Sequence, residues 1–285
     1  MCRARAPADA EGDTRLQEVA SMTETFQLSR EQAQAYEDLF VPALFGQWAP
    51  QLVDCARVRD GQSVLDVACG TGVVARAARD LVGPGGRVVG VDLNSAMLEV
   101  AQEARPDLEW VHGDVEDLPF EDAEFDVALC QSALFFFADP GRAVAEMVRV
   151  VVPGGVVALQ TYAPLAEQPA YGPFVELVAG HAGPEARVLL GTYWSQGALD
   201  GLLELASAAG LSLVESRSSL GEAVFPSAAA VADTEIKATP LAERITPETY
   251  ARIVADTEEL LGGYADESGL VRVPIRATLL AARKG

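Results

Sequence analysis

The feature that most constrains how this chain can fold is an apolar run that ends in a glycine turn. Residues 64–67 are Val-Leu-Asp-Val, and Ala-Cys-Gly-Thr-Gly follows at 68–72. Short apolar runs of this kind are typical of buried strands, and glycines let the backbone turn sharply and approach a ligand closely. The apolar residues after the turn have helical spacing: Val74, Ala77, Ala78 and Leu81. A strand, a glycine turn and a helix N-terminus together predict a nucleotide-like ligand at the carboxyl end of the strand.

Three acidic residues lie within or just after the apolar runs of this region. Asp66 lies inside the first run, where a carboxylate is costly unless it meets a cation or several donors. Asp92 ends the run 88–92, about twenty residues beyond the turn, which is where a ribose-binding acid is expected. Asp114 follows a third run. A glycine turn can also serve only to redirect the chain. The three acids favour the other interpretation, in which the turn belongs to a ligand site. The pattern G-x-G-x-x-A at 70–75 leaves a dinucleotide site open as an alternative.

Apolar periodicity and turn residues predict alternating strands and helices, which implies right-handed crossovers and a parallel sheet. The predicted strands are 63–68, 87–92, 108–112, 125–131 and 156–161, and the predicted helices between them include 72–82 and 95–104. A further helix begins after Asp139-Pro140, and we expect Pro153-Gly154-Gly155 to end it. Strict alternation at 271–281 predicts a final strand, paired from about Ile275 because Pro274 cannot donate to a central ladder.

In these motifs the chain resembles the class I S-adenosylmethionine-dependent methyltransferases. The resemblance is greatest to the type 11 branch, which contains ubiquinone and menaquinone biosynthesis methyltransferases, and it covers roughly residues 36–161. It implies an α/β fold, namely a Rossmann-like, doubly wound sheet of seven strands with a helical lid insertion. In this family the last strand is antiparallel and lies between the fifth and sixth, a feature that ordinary dinucleotide dehydrogenases lack.

The resemblance also implies the cofactor, S-adenosyl-L-methionine, with S-adenosyl-L-homocysteine as its product. By analogy Asp66 lies near the ammonium group of the cofactor, Asp92 binds both ribose hydroxyls, and Asp114 accepts from the adenine amino group. Such roles are chemically sensible, because carboxylates accept hydrogen bonds from diols and amines. The other residues that the resemblance assigns to the cofactor are Tyr36, Ala68, Cys69, Gly70, Gly72, Leu93, Met97, Gly113, Val115, Gln131 and Ser132.

Candidate acceptor-binding residues are aromatic and lie after the fourth strand or in the lid. They are Phe136, Tyr171 and Trp194, although aromatic residues at such places also serve as core. His181, in the lid, is the better of the two histidines as a general base, but a loop histidine without a catalytic role is the simpler interpretation. No spacing of metal ligands is present in the sequence, so no metal is expected.

The resemblance and the turn residues divide the chain into five segments. They are a disordered N-terminal extension at 1–22, a helical cover at 23–60, a cofactor-binding core at 61–163, a lid insertion at 164–200, and the rest of the core at 201–285 with inserted helices at 226–262. In the cover, Pro42 and Pro50 are expected to break the helices.

Composition narrows the class of partner. The chain has 21 Lys and Arg against 42 Asp and Glu, a formal net charge of -21, and this charge repels nucleic acid and anionic membranes. Its four cysteines have no paired or metal-like spacing, and no apolar run reaches the length of a membrane span. A cytoplasmic monomer or homodimer with a small-molecule partner is therefore expected.

The resulting hypothesis is methyl transfer from S-adenosylmethionine to an oxygen or carbon atom of a small organic acceptor. The Asn/Asp-Pro-Pro-aromatic signature of enzymes that methylate amino groups of adenine or glutamine is absent from the sequence. Three alternatives stay open at this point. They are a cofactor-binding relative that catalyses a non-methylating reaction, a non-catalytic partner subunit, and a nicotinamide-dependent dehydrogenase.

Overall fold

The computed structural model describes residues 28–237 and 241–285, so the predicted extension at 1–22 lies outside the described residues. The strands are β1 (Ser63–Val67), β2 (Arg87–Asp92), β3 (Glu109–His112), β4 (Phe125–Gln131), β5 (Val151–Tyr162), β6 (Leu211–Phe225) and β7 (Val271–Lys284). The helices are α1 (Arg30–Ala35), α2 (Ala49–Cys55), α3 (Val73–Val82), α4 (Ser95–Ala104), α5 (Pro140–Val150), α6 (Tyr171–Ala182), α7 (Pro184–Gly191), α8 (Leu199–Ala208), α9 (Ala228–Lys237), α10 (Leu241–Arg244) and α11 (Pro247–Leu261). These bounds match the predicted strands and helices of the first half to within one residue, apart from β5.

The seven strands form a single sheet in the order β3-β2-β1-β4-β5-β7-β6. Strands β1 to β5 are parallel where they pair, and β7 is antiparallel to both of its neighbours, β5 and β6. The doubly wound sheet with an antiparallel seventh strand is therefore confirmed. Because the strand order reverses beside β1, the crevice between the carboxyl ends of β1 and β4 is where such a sheet binds ligands.

The apolar character of β1 follows from its place at the centre of this sheet. Alternate residues of β1 enter different cores: Val64 packs in one cluster, and Leu65 and Val67 pack in the other. A parallel strand covered by helices on both faces needs apolar side chains in succession. The next helix, α3, differs from the prediction in one detail. Leu81 was predicted on the apolar face but is 44% exposed, and Val82 is buried instead.

The prediction that Pro42 breaks the N-terminal helices was wrong. Helix α1 continues without interruption into a wider, π-type helix at Tyr36–Phe45 that contains Pro42. In this winding an amide bonds to the carbonyl five residues earlier, as Gly46 does to Val41 at 2.7 Å. The wider spacing accommodates a proline, which lacks an amide proton and clashes in ordinary α-helical turns. Pro50 lies in the first turn of α2, where its missing donor is harmless.

The expectation that residues 153–155 end a helix was also wrong. Helix α5 ends at Val150, and β5 begins at the next residue. Phe125 pairs with Val151 while Val127 pairs with Val156, so Pro153-Gly154-Gly155 forms a bulge within β5. A Cβ atom at Gly155 would lie 2.6 Å from the carbonyl oxygen of Asp126, which explains glycine there.

Strand β7 begins earlier than the prediction from Pro274 allowed. Pairing with β6 extends back to Val271, and Pro274 lies opposite Glu222. The backbone N–H and C=O of Glu222 bond the side chain of Gln47 and not β7. Pro274 therefore occupies a position at which no ladder donor is needed, and β5 joins β7 only from Ala277 onward.

Candidate functional site

The glycine turn after β1 contains three residues with left-handed backbone conformation. Ala68 has φ 54°, Gly70 has φ 54° and Gly72 has φ 84°. A Cβ atom at Gly72 would lie 2.2 Å from the Trp110 ring, so this glycine makes room for a side chain of β3. A Cβ atom at Gly70 would meet only the Tyr36 ring, at 3.8 Å. Gly70 is therefore the part of the turn with space above it, and Tyr36 covers that space.

Asp92 joins this turn to the end of β2. Its Oδ2 accepts from the Gly70 amide at 2.8 Å, and its Oδ1 accepts from the Asn94 amide at 2.8 Å. Desolvation raises the pKa of Asp92, while these two amides lower it. Each carboxylate oxygen has a second lone pair, so Asp92 keeps the capacity to accept hydrogen bonds from a ligand diol.

Asp66 is buried beneath the turn. Its Oδ2 accepts from the Ala75 amide in the first turn of α3 at 2.8 Å, and the residue is only 1% exposed. Desolvation raises the pKa of Asp66 to about 8, and the negative charge of Asp92 acts in the same direction. Within the described part of the chain no lysine, arginine or histidine forms an ion pair with it. A cation bound in the turn would lower this pKa and favour the ionised form.

Beyond Asp92, the ends of β2 and β3 present one exposed apolar residue and one exposed acid. Leu93 is 44% exposed and Asp114 is exposed, and the Gly113 amide bonds the carbonyl of Asp92 at 3.1 Å. Asp114 Oδ1 accepts from the Glu116 amide at 2.9 Å. The remaining two residues predicted for this region, Met97 and Val115, are buried, at 9% and 8% exposed.

Gln131 and Ser132 lie at the carboxyl end of β4, across the crevice from the glycine turn. Gln131 donates to the Phe45 carbonyl at 3.2 Å, and its buried Oε1 has no partner. Ser132 has φ 52° and donates to Gln160 Oε1 at 2.7 Å, which leaves Gln160 Nε2 buried without a partner. In the turn itself, the Thr71 hydroxyl is buried and also unpaired.

These unpaired atoms bear on whether a polar cofactor fits the crevice. Leaving a buried polar atom unpaired costs about 1–3 kcal/mol, so several beside one crevice indicate groups that a ligand can satisfy. Thr71 and Gln131 flank the crevice on its two sides. Together with Asp92 they supply acceptors and donors suited to an amino acid end and a ribose. The residues present therefore fit the cofactor that the sequence predicts.

Two side-chain contacts join the N-terminal helices to the crevice, and a third contact lies within the π-type helix itself. Arg76 of α3 pairs with Glu37 at 2.9 Å and bonds the Thr71 carbonyl at 2.8 Å. Gln131 holds the last turn of the π-type helix through Phe45. The ring of Tyr36 stacks on that of Phe45 with 5.1 Å between centroids. The sequence analysis did not identify the pair Arg76 and Glu37, which are far apart in the chain.

The predicted acceptor residues lie in two groups of packed rings within one hydrophobic core cluster. Phe136 packs on Tyr193 at 5.9 Å between ring centroids, Tyr171 packs on Trp194 at 4.9 Å, and Trp194 packs on Tyr162 at 5.5 Å. We call these residues, with Phe135, the aromatic cluster; its members are Phe135, Phe136, Tyr162, Tyr171, Tyr193 and Trp194. It lies at the carboxyl ends of β4 and β5 and combines residues of the core with residues of the lid.

His181 has a different partner. Its Nε2 lies 2.6 Å from Oδ2 of Asp256, so it joins the end of α6 to α11. The structure thus links His181 to a half-exposed carboxylate and not to the aromatic cluster. A contact of His181 with another helix is a structural role, as the simpler interpretation of this histidine expects.

A carboxyl group that the sequence analysis did not identify approaches the aromatic cluster instead. Desolvation raises the pKa of Tyr171, Tyr162 and Tyr193, and the charge of Glu235 in α9 acts in the same direction on each. Desolvation raises the pKa of Glu235 to about 7. The sequence shows only an acid beside an isoleucine, and that pattern does not indicate desolvation.

Two absences complete the description of the site. Among residues 28–237 and 241–285, no group of three or more His, Cys, Asp or Glu side chains could hold a metal ion. Searched over the same ranges, the chain contains no helix with the length and apolar character needed to cross a bilayer.

The central region of the chain is similar to known proteins. Residues 65–159 match the family Methyltransf_11, described as a methyltransferase domain. A demethylmenaquinone methyltransferase of Renibacterium salmoninarum is 37% identical over 128 residues, which are 45% of this chain and 51% of that protein. A demethylmenaquinone methyltransferase of Staphylococcus aureus strain JH9 is 42% identical over 121 residues, 41% of this chain and 50% of that protein. The chain thus spans about half the length of the curated relatives it matches.

Solved structures share the fold over a longer stretch. A putative methyltransferase of Bacillus halodurans C-125 superposes with a TM-score of 0.57 at 24% identity, covering 83% of this chain and 98% of that one. A 4+2 cyclase, SpnF, superposes with a TM-score of 0.53 at 21% identity, covering 84% of this chain and 81% of that one. At these identities the similarity is one of fold.

Proposed function

We propose that this chain transfers a methyl group from S-adenosyl-L-methionine to a small organic acceptor, because residues 65–159 match a methyltransferase domain family and the curated relatives are demethylmenaquinone methyltransferases. The acceptor atom is an oxygen or a carbon. The observation that carries the proposal is the double hydrogen bond of Asp92, which joins the glycine turn to the end of β2 beneath an open surface at Gly70.

Each part of the cofactor has a counterpart in the crevice under this proposal. Asp92 binds the ribose hydroxyls, Asp114 and Leu93 lie on the adenine side, and Thr71 and Gln131 satisfy their unpaired atoms on the amino acid end. The bound cofactor supplies a methyl group activated by the positive sulfonium. What remains for the protein is to orient the acceptor and exclude water.

The aromatic cluster supports an acceptor with a flat, apolar body. Its rings have edge and tilted contacts at 4.4 to 5.9 Å between centroids, so an acceptor bound beside them would meet apolar ring surface. The curated relatives are named for demethylmenaquinone, and a ring-bearing acceptor is consistent with that name.

The assignment of the segments, the cellular compartment and the kind of partner are part of the same proposal. Of the described residues, 28–60 form the helical cover of the site and 164–200 form its lid, which the inserted helices within 226–237 and 241–262 extend. The described cysteines, Cys55, Cys69 and Cys130, are buried free thiols, which supports a reducing compartment such as the cytoplasm. The acidic net charge supports a small-molecule partner over nucleic acid, with the chain acting as a monomer or homodimer.

The test measures cofactor binding first and turnover second. Calorimetry with S-adenosylhomocysteine and with NAD is expected to show saturable binding of the first alone. Incubation with S-adenosylmethionine and a library of ring-bearing acceptors is expected to release S-adenosylhomocysteine in proportion to methylated product. Binding of NAD alone would contradict the proposal. Consumption of an acceptor without S-adenosylhomocysteine, with the cofactor bound, would favour a non-methylating reaction instead.

A further inference from the structure

Three buried polar atoms beside the crevice have no part in the cofactor contacts proposed above. They are Trp48 Nε1, Gln160 Nε2 and the Tyr162 hydroxyl, and within the described part of the chain none of them has a hydrogen-bond partner. Their side chains are 0%, 1% and 3% exposed. Because roughly nine in ten buried polar groups in proteins are paired, three unpaired ones in one region indicate groups that a ligand can satisfy. We call these three residues the donor row.

The members of the donor row lie close together on one face of the sheet. Gln160 and Tyr162 are two residues apart in β5, so their side chains project from the same face. Gln160 lies opposite Gln131 of β4, whose side chain reaches Phe45 of the cover on that face. The Trp48 ring packs edge-on against the Tyr162 ring with 6.5 Å between centroids. The donor row therefore lies next to Gln131, between β5 and the N-terminal cover.

Local contacts hold each member of the donor row so that it can donate. Ser132 Oγ donates to Gln160 Oε1 at 2.7 Å, which engages the amide oxygen and leaves the NH2 group free. A Cβ atom at Gly221 would lie 2.6 Å from the Trp48 ring, so a glycine there makes room for the indole. Desolvation raises the pKa of Tyr162, so its hydroxyl keeps its proton at neutral pH. Ser132 and Trp48 are near enough to lower this pKa, but neither has the geometry of a hydrogen bond to the hydroxyl.

The chemistry of the donor row selects an uncharged oxygen. An indole N–H and an amide NH2 group only donate, and a phenol can donate as well, so the set matches an atom with lone pairs. All three groups are neutral. A buried carboxylate or phosphate is costly without a cation, whereas a carbonyl oxygen carries no net charge. The aromatic cluster begins at the same place, because Tyr162 packs on Trp194 at 5.5 Å between ring centroids. Polar donors and apolar ring surface thus lie side by side.

We propose that Trp48, Gln160 and Tyr162 bind a carbonyl oxygen of the methyl acceptor, so that the acceptor is an uncharged ring compound with a carbonyl group. This inference rests on the proposed function. Strand β4 lies between β1 and β5, so the donor row is one strand, about 4.8 Å, beyond Gln131 as seen from the glycine turn. The carbonyl is held there while the ring lies against the aromatic cluster. The acceptor enters when the cover, which carries Trp48, separates from the lid, which carries Trp194.

The experiment measures the binding of two probes that differ in one oxygen. Chromone has a ring carbonyl, and 4H-chromene has a CH2 group in its place. Calorimetry on protein saturated with S-adenosylhomocysteine is expected to show that wild type binds chromone at least 10-fold more tightly than 4H-chromene. The charged ring compound 2-naphthoate should bind no more tightly than 4H-chromene.

Three variants each remove one donor and keep most of the side-chain volume: Trp48→Phe, Gln160→Met and Tyr162→Phe. Each should weaken chromone binding by about 3- to 10-fold, the net effect of one hydrogen bond, and leave 4H-chromene binding within twofold. The Trp48 and Tyr162 variants also leave the bond between Ser132 and Gln160 intact. Affinity for S-adenosylhomocysteine, expected within twofold of wild type, serves as the check on folding in all three.

Tyr250→Phe is the matched control, because the Tyr250 hydroxyl already donates to Asp233. It should leave the affinity for both probes unchanged but lower the midpoint of urea denaturation, since a hydrogen bond is lost. Tyr162→Phe should instead keep or raise the midpoint of the ligand-free protein, because its hydroxyl has no partner to lose. The two tyrosine variants thus distinguish an unpaired hydroxyl from a paired one.

The outcomes separate this inference from the proposed function. Equal or undetectable binding of chromone and 4H-chromene by wild type, or tighter binding of 2-naphthoate, would overturn the acceptor class. Unchanged chromone affinity in all three variants would overturn the role of the donor row. A lower urea midpoint in Tyr162→Phe would show that this hydroxyl is already paired, for example by an enclosed water, and would remove it from the row. Failure of wild type to bind S-adenosylhomocysteine would instead contradict the proposed function.

Discussion

The Gly70 amide and the Asp92 carboxylate are joined by a 2.8 Å hydrogen bond between the turn after β1 and the end of β2. One side chain therefore fixes the backbone of the turn and, under the proposed function, also provides acceptor oxygens for the cofactor. Hydrogen bonds to an ionised acceptor are stronger than neutral ones, which makes this contact important for the shape of the turn. Replacement of Asp92 should affect geometry and binding together.

We expect the Asp92→Asn variant to bind S-adenosylhomocysteine about 10- to 100-fold more weakly. Asparagine keeps one acceptor oxygen but directs an NH2 group at one of the two amides, and it loses charge-assisted bonds worth about 1.5–3 kcal/mol. Calorimetry measures the affinity. The control is Asp107→Asn, an exposed acid paired with Arg105, which should bind as wild type does. Unchanged affinity in D92N would remove Asp92 from the cofactor site.

The glycines of the turn can be compared with a glycine of similar conformation elsewhere. We expect Gly72→Ala to lower the free energy of unfolding by more than 3 kcal/mol or to prevent folding, because its Cβ would lie 2.2 Å from the Trp110 ring. Gly61 has φ 80°, close to the 84° of Gly72, but no atom lies within 4 Å of its Cβ position. Gly61→Ala should therefore cost only the left-handed strain of about 1–2 kcal/mol.

Urea denaturation gives both values, and their difference isolates the contact with the ring. In the double variant Gly72→Ala with Trp110→Leu, leucine is smaller than the tryptophan ring, so part of the lost free energy of unfolding should be recovered. Equal destabilisation by G72A and G61A would show that backbone strain, and not Trp110, requires the glycine.

Cofactor binding should release a proton from Asp66. Because the pKa of Asp66 is about 8, its carboxyl is mostly protonated at pH 7 when no ligand is bound. An ammonium group bound in the turn lowers that pKa. Calorimetry in buffers of different ionisation enthalpy is expected to show release of close to one proton at pH 7 and little at pH 9.5. The release should vanish in Asp66→Asn. Its persistence in that variant would assign the proton to another group.

The stability of the ligand-free protein should fall as the pH rises from 5 to 8. Asp66 has a folded-state pKa of about 8 and Glu235 of about 7, against 3.8 and 4.5 for the free side chains. Between these values the folded state binds more protons than the unfolded state, so the free energy of unfolding decreases with pH. Urea denaturation at pH 5.5 and 8.0 measures the decrease. Asp66→Asn and Glu235→Gln should each reduce it, and a stability that rises over this range would contradict the assignment.

Local patterns were sufficient to predict the strands, most helices and the acids at the strand ends. Residues 87–92, 95–104 and 125–131 have the predicted bounds because a central parallel sheet needs continuous apolar runs and its helices need caps, such as Asn94. The chemistry of Asp92 and Gly70 also follows from their place beside a glycine turn. These features depend on neighbours in the sequence.

What the sequence did not reveal depends on partners far away in the chain. Pro274 is tolerated because Gln47 takes the hydrogen bonds of Glu222, and Pro42 remains inside a helix because the winding is wider there. Glu235 differs from an ordinary surface acid only because helix packing removes its solvent. The sequence by itself determined the order of the elements and the acids at the strand ends. Only the tertiary structure decided which polar groups are desolvated and what they face, because desolvation and long-range hydrogen bonds arise when distant segments pack together.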